Sequence, residues 1–325
     1  MDLDEARAVK GQVIASVSEW LSSELGAMAT PGFVPFAVGI ATRTAAGFGV
    51  AVRYDQSDER IVARAEGLAA ELGPDADVRA VGRVRALSVG PVVPTALTMG
   101  ETGRVRPLRP GISIAHVAVT AGTLGAFVTL PDGVAHVLSN FHVLAGSPSA
   151  QLGDTIVQPG PADGGRSPQD RIGSLAAVVP LAPGQPATVD AALASLEDVE
   201  FDATYPAGTL TGTAAVEGEE AVQKVGRTTG VTDGRVSAIE LDGLVIEYGE
   251  GLGQLRFDDQ IEVESTVDGP FSQGGDSGSL VYLVDGVRAV GLLFAGSETG
   301  GPSGTGLTYL NPIETVLAAL DATLV

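Results

Sequence analysis

The sequence contains no cysteine. That absence excludes a disulfide scaffold, a thiolate nucleophile, and zinc or iron–sulfur sites built on Cys ligands. Lysine occurs only at Lys10 and Lys224, and histidine only at His116, His136 and His142. Any imidazole-dependent chemistry therefore has three candidates. Basic residues number 19 against 40 acidic ones, a formal net charge of −21. Such a balance argues against nucleic acid or an anionic membrane as partner, because both need clustered Lys and Arg. No run is apolar enough for a membrane span, and the start, Met1-Asp2-Leu3-Asp4-Glu5, is acidic where a secretory signal is basic. A cytoplasmic location is expected. Aromatic residues make up only 5%, yet 44% of the 325 residues are hydrophobic, so the chain can bury a core despite its charge.

Three regions follow from the hydrophobic patterning. Residues 1–30 read as a helical arm, with Ala6, Val9, Val13, Val17, Trp20, Leu21 and Leu25 on one face and Gly26 as a natural stop. Residues 31–108 read as a small α/β domain of β-β-α-β order. Its strands are expected at 36–44, 47–54 and 77–87, and its helix at 57–73. Arg79, Arg83 and Arg85 make residues 77–87 the most basic stretch, which reads as a solvated or ion-paired face. Gly47-Phe48-Gly49 is too short to be a nucleotide fingerprint. A Pro/Gly/Arg-rich connector spans residues 95–110.

Residues 109–325 change texture to short strands separated by turns. Strands are expected at 112–119, 124–130, 134–140, 172–179, 189–196, 244–248, 255–264, 279–284 and 289–295. Asp233-Gly234, Asp242-Gly243 and Asp285-Gly286 read as hairpin turns. A closing helix over 312–322 carries Ile313, Val316, Leu317 and Leu320 on one side. Many short strands with glycine-rich turns imply a sandwich or barrel, so the fold class is mainly β.

Three segments carry chemistry. His142 follows the strand end Leu138-Ser139-Asn140-Phe141, Asp190 opens the apolar run Ala191-Ala192-Leu193, and Ser277 sits in Gly274-Gly275-Asp276-Ser277-Gly278-Ser279. A serine hydroxyl needs a positioned base, and that base needs an acceptor that fixes its tautomer. Flanking glycines let backbone N–H groups face a developing oxyanion. The chain order His142, Asp190, Ser277 excludes an α/β-hydrolase, whose histidine follows its serine in G-x-S-x-G. Asp154 and Asp170 compete with Asp190, and His136 is the alternative to His142. Asp258 and Asp259 lack the spaced ligands of a calcium loop and read as surface charge.

Together these segments resemble the chymotrypsin-like (trypsin-fold) serine peptidases, and in particular the intracellular bacterial trypsin-like group. Lys224-Val225-Gly226-Arg227-Thr228-Thr229-Gly230 and Arg109-Pro110-Gly111-Ile112-Ser113 are similar to recurring segments of that group. The resemblance implies a chymotrypsin-like double β-barrel over 109–325, preceded by an N-terminal helix and the small α/β domain and closed by a C-terminal helix. It implies a serine endopeptidase acting on protein or peptide substrates, with Ser277 as nucleophile, His142 as general base and Asp190 as orienting carboxylate. The N–H groups of Gly275 and Ser277 would form the oxyanion hole, and Leu293, Phe294, Ala295 and Gly296 the edge that pairs with substrate. Phe271, six residues before the nucleophile, stands where a basic-specific pocket carries aspartate. No cofactor or metal is implied. Arg227 is expected to pair with a carboxylate, and Asp276 is expected to have a partner other than a liberated N-terminus, or none. The rival reading is a protease-fold binding or regulatory module, latent until a partner docks. Residues 1–108 are the expected surface for an oligomeric or regulatory partner.

Overall fold

The computed structural model describes residues 1–24, 35–43, 47–87, 100–249, 251–302 and 304–325. Leu25, Gly26, Thr44 and residues 95–99, which belonged to the expected helix, strand and connector, lie outside them. Helix α1, Leu3–Glu24, buries Ala6, Val13 and Val17. It also buries Lys10, whose ammonium pairs with Asp242 at 2.7 Å. The hairpin of Phe36–Arg43 and Gly47–Tyr54 runs in continuous register from Phe36↔Tyr54 to Arg43↔Gly47. Helix α2, Glu59–Leu72, starts where the Asp58 carboxylate accepts the Arg60 N–H at 2.8 Å and stops at Gly73, φ 58°. Its apolar stripe, Ile61, Ala65 and Leu68, packs with Phe36, Val38, Val50 and Val52. This crossover lays Ala76–Ala80 parallel to Gly47–Tyr54, completing the β-β-α-β order.

That unit is continuous with the larger part of the chain, because Phe36–Arg43 pairs antiparallel with Gly230–Asp242. The expected single strand over 77–87 does not form. Gly82, at φ 64°, breaks it, and Val84–Ala86 pairs with Arg288–Gly300, far along the same sheet from Ala76–Ala80.

Six strands close into a barrel. Ala221–Gly226, Gly230–Asp242, Gln260–Ser265, Gly306–Pro312, Arg288–Gly300 and Leu280–Leu283 each pair antiparallel with the next, and the last returns to the first. Closure leaves no free edge within the ring. The other sheet curls as a half-barrel, in the order Thr323–Leu324, Ala126–Thr129, Ala135–Ser139, Ala192–Ser195, Arg171–Val178, Thr155–Val157, Ser113–His116 and Gly122–Thr123. Between the two sheets lies a cluster that includes Val128, Leu138, Leu193, Leu280, Tyr282 and Leu292. Helix α4, Ile313–Leu320, adds Ile313, Val316 and Leu320 to it. A mainly β, chymotrypsin-like fold results.

The turn expectations need correction. Asp285-Gly286 does join paired strands, Leu280–Leu283 and Arg288–Gly300. Asp233-Gly234 lies inside Gly230–Asp242, where Gly234 pairs with both Val222 and Ser265. A Cβ on Gly234 would come within 2.8 Å of the Glu264 carbonyl and the Phe271 ring, so this glycine serves close packing rather than a turn. The real hairpin is at Gly226–Gly230. Asp242-Gly243 separates strands that do not pair with each other, because Leu244–Glu247 turns to Gln254–Phe257. Expected strand 255–264 is split at Asp259, φ 60°. Among the described residues, no helix is long and apolar enough to cross a membrane.

Candidate active site

His142 and Asp190 reach each other from adjacent strands of the half-barrel. Ala135–Ser139 pairs with Ala192–Ser195, with Ser139 opposite Ala192. Beyond that pair the first strand runs into the short helix α3, Phe141–Leu144, which carries His142, while Asp190 lies two residues before Ala192. His142 Nδ1 is 2.5 Å from Asp190 Oδ2, and the His142 backbone N–H donates to Oδ1 at 3.3 Å. Both side chains are buried, at 5% and 0% exposure. A carboxylate at that depth needs further donors. The Tyr248 hydroxyl supplies one to Oδ2 at 2.7 Å. Burial, and then the Asp190 charge, push the Tyr248 phenol well above its ordinary value, so it keeps its proton as a donor.

The backbone of Asp190 is held as firmly. Asn140 Nδ2 donates to its carbonyl at 2.7 Å, and its N–H donates to Asn311 Oδ1 at 2.9 Å. Asn311 is itself fixed by Gln260 Oε1 at 2.6 Å. Sequence reasoning missed Tyr248, Asn140, Asn311 and Gln260. The competitors are occupied elsewhere: Asp154 faces His116 at 3.3 Å, Asp170 pairs with Arg104 at 3.3 Å, and His136 Nδ1 meets the Val134 carbonyl, just before its strand, at 3.0 Å.

Ser277 lies at a tight turn pinned on both sides. Its carbonyl accepts from Thr123 N–H at 2.8 Å, and Gly278 N–H donates to Leu293 at 2.9 Å. Gly278 has φ 91°, and a Cβ there would lie 2.1 Å from Ser139 Oγ. The Ser277 turn thus rests against the strand that leads into His142. Gly278→Ala is expected to destabilise the fold by about 1–3 kcal/mol from the left-handed backbone alone, with more from the clash. Thermal melting checks this; an unchanged midpoint would contradict the packing described.

Of the two alternatives for Asp276, the structure shows partners. Its Oδ1 accepts from the Thr228 and Thr229 amides at 2.8 and 3.1 Å, and its Oδ2 from the Gln273 amide at 3.0 Å and the Thr229 hydroxyl at 2.7 Å. Lys224 Nζ lies 3.5 Å from Oδ2, with both side chains fully buried. Burial pushes the Lys224 ammonium below its ordinary value, and the Asp276 charge partly offsets this. The loop bearing Ser277 is therefore set from within the chain. Arg227 pairs with Asp163, Nε to Oδ2 at 2.8 Å, as its expected role required.

Ser277 and His142 are not hydrogen-bonded. The Ser277 hydroxyl donates to the Phe294 carbonyl at 3.4 Å, and the buried His142 Nε2 has no hydrogen-bond partner among the described residues. The rings of His142, Tyr248, Phe257 and Phe294 form a chain with centroids 5.8, 6.1 and 4.9 Å apart, linking the imidazole to the residue that receives the serine.

The edge expected to take substrate is already paired. Ala295, Gly296 and Ser297 stand opposite Ala86, Arg85 and Val84 in antiparallel register. Leu87 N–H donates to the Phe294 carbonyl at 3.1 Å, and Gly275 N–H donates to the Leu87 carbonyl at 2.7 Å. Phe271 and Leu293 are buried in one apolar cluster, and Leu87 packs against it. Arg79 pairs with Asp77 and Glu264 at 2.7 Å each, and exposed Arg85 lies 3.3 Å from Glu298. These basic residues are an ion-paired face.

The closed barrel and the half-barrel packed against it define the chymotrypsin-like, trypsin-type fold. The sequence matches no protein-family model and no curated protein. Among solved structures, 67% of the chain is similar to 99% of Thermobifida fusca protease A, at 19% identity and a TM-score of 0.47. The same share is similar to 99% of Cellulomonas bogoriensis chymotrypsin, at 19% identity and a TM-score of 0.46. It is likewise similar to 99% of Nocardiopsis protease, at 18% identity and a TM-score of 0.47.

Proposed function

We propose that the chain is a serine endopeptidase that hydrolyses peptide bonds through Ser277, His142 and Asp190. The observation that carries this reading is the 2.5 Å contact of His142 Nδ1 with a fully buried Asp190 carboxylate. A buried carboxylate in that contact keeps the ring proton on Nδ1, leaving Nε2 as a base. Attack requires the Ser277 hydroxyl to leave the Phe294 carbonyl for Nε2, a rotation about χ1. Oγ then adds to the substrate carbonyl as Nε2 takes its proton, and the N–H groups of Gly275 and Ser277 hold the oxyanion. Nε2 returns the proton to the leaving amine, and water hydrolyses the acyl-enzyme with the same base.

A second reading has one observation in its favour. With the Ser277 hydroxyl bonded to the Phe294 carbonyl instead of to His142, the arrangement also fits a latent binding or regulatory module. Fluorophosphonate labelling separates the two, run on the native chain and on Leu87→Pro, in which the cleft is freed. Labelling is expected at Ser277, lost in Ser277→Ala, and slowed about 10³-fold or more in His142→Ala. No labelling of either folded chain would favour the latent module.

A further inference from the structure

The register of residues 84–87 has a consequence beyond peptidase activity. An extended acyl donor in such a cleft presents its last N–H to the edge strand and its last carbonyl to the oxyanion donors. Leu87 does both, through Phe294 and Gly275. Residues 84–86 continue the pairing backwards along Ala295–Ser297, and Arg85 also pairs in parallel with Glu247 on the far side. The segment is thus held between two strands, as a bound peptide is in β-augmentation. Its side chains alternate accordingly. Val84 and Ala86 are buried against a cluster containing Leu244, Ile246, Phe257 and Phe294, while Arg83 and Arg85 point to solvent.

Leu87 identifies the pocket. Its Cδ atoms lie 3.1 and 3.2 Å from where a Cβ on Gly296 would be, so the side chain sits close over that glycine. The apolar cluster it packs against includes Phe271 and Leu293, so an aliphatic side chain suits this place.

We propose that Val84-Arg85-Ala86-Leu87 is a built-in ligand of the acyl half of the cleft, that it holds the intact chain in a restrained state, and that the substrates are extended peptides with a leucine-like residue before the scissile bond. The substrate part rests on the endopeptidase reading; the occupancy part does not. A tethered segment acts at an effective concentration on the order of millimolar, so free peptides compete poorly until it is displaced.

The test uses the full chain carrying Ser277→Ala, which cannot turn over, and a fluorescent peptide ending Val-Arg-Ala-Leu with a free carboxylate. Leu87→Pro removes the N–H given to Phe294, and Leu87→Asp puts a charge into the apolar pocket. Each is expected to tighten peptide binding by at least about tenfold. Thermal melting keeps misfolded variants out of the comparison. Equal affinity in the native and both folded variant chains would overturn the built-in ligand. In chains with Ser277 restored, esters with leucine before the scissile bond are expected to react at least about tenfold faster than those with arginine or aspartate. Equal rates would overturn the leucine preference. Absence of hydrolysis with peptide binding intact would sink the endopeptidase reading and leave the occupancy standing.

Discussion

Asp190→Asn is expected to lower kcat on a peptide ester by about 10⁴-fold, close to 5.4 kcal/mol of transition-state stabilisation, with KM little changed. The geometry sets the sign. The His142 backbone N–H donates to Oδ1, so the asparagine oxygen is retained there and its NH₂ faces Nδ1. An amide that donates to Nδ1 places the ring proton on Nε2, where it cannot accept the serine proton. The comparison is made between chains that both keep residues 84–87 seated, so the occupied cleft cancels from the ratio. A fall of less than tenfold would mean that Asp190 does not orient the base.

Arg53→Met is expected to reduce stability by about 3–5 kcal/mol, because it strands a buried carboxylate. Arg53 is 1% exposed and meets Glu262, 0% exposed, through Nε and Nη2 at 2.7 Å each. It thereby joins the Gly47–Tyr54 strand to the barrel strand Gln260–Ser265. The double change Arg53→Met, Glu262→Leu should recover most of the loss, since an apolar pair of similar volume can replace a buried ion pair. Urea titration measures both, and a single-variant loss under 1 kcal/mol would refute the pin. Acid adds a second signature. Burial pushes the Asp77 carboxyl up, but the charges of Arg53 and Arg79 outweigh it and hold the group below its usual value of 3.8. The stability Asp77 contributes is complete above that value and is lost as pH falls through the lower folded one. In Arg53→Met this acid-dependent part of the curve should shrink.

The three chemical segments were legible because each is local: a strand-end histidine, an aspartate opening an apolar run, and a serine among glycines. The groups that hold them were not. Tyr248 is 58 positions from Asp190 and Asn311 is 121 positions away, and nothing beside either residue in sequence marks its partner. Lys224 stands out as one of two lysines, but its contact with Asp276 depends on the barrel. Regular elements were read well where periodicity was strong, as in α2. Asp-Gly pairs misled where the second residue was required for packing, as at Gly234. The alternation of Val78, Ala80 and Val84 fits a strand beside any partner, so it could not reveal that the chain changes strand partner at Gly82.

Leu87 precedes Gly275 and Gly296 by far in chain order, and chains emerge from the ribosome N-terminus first, at about 5–20 residues per second. The occupant of the groove therefore exists on the order of ten seconds or more before the walls that enclose it. A newly made molecule assembles its barrel around a guest already present, in one-to-one proportion, and no vacant form need arise during its birth.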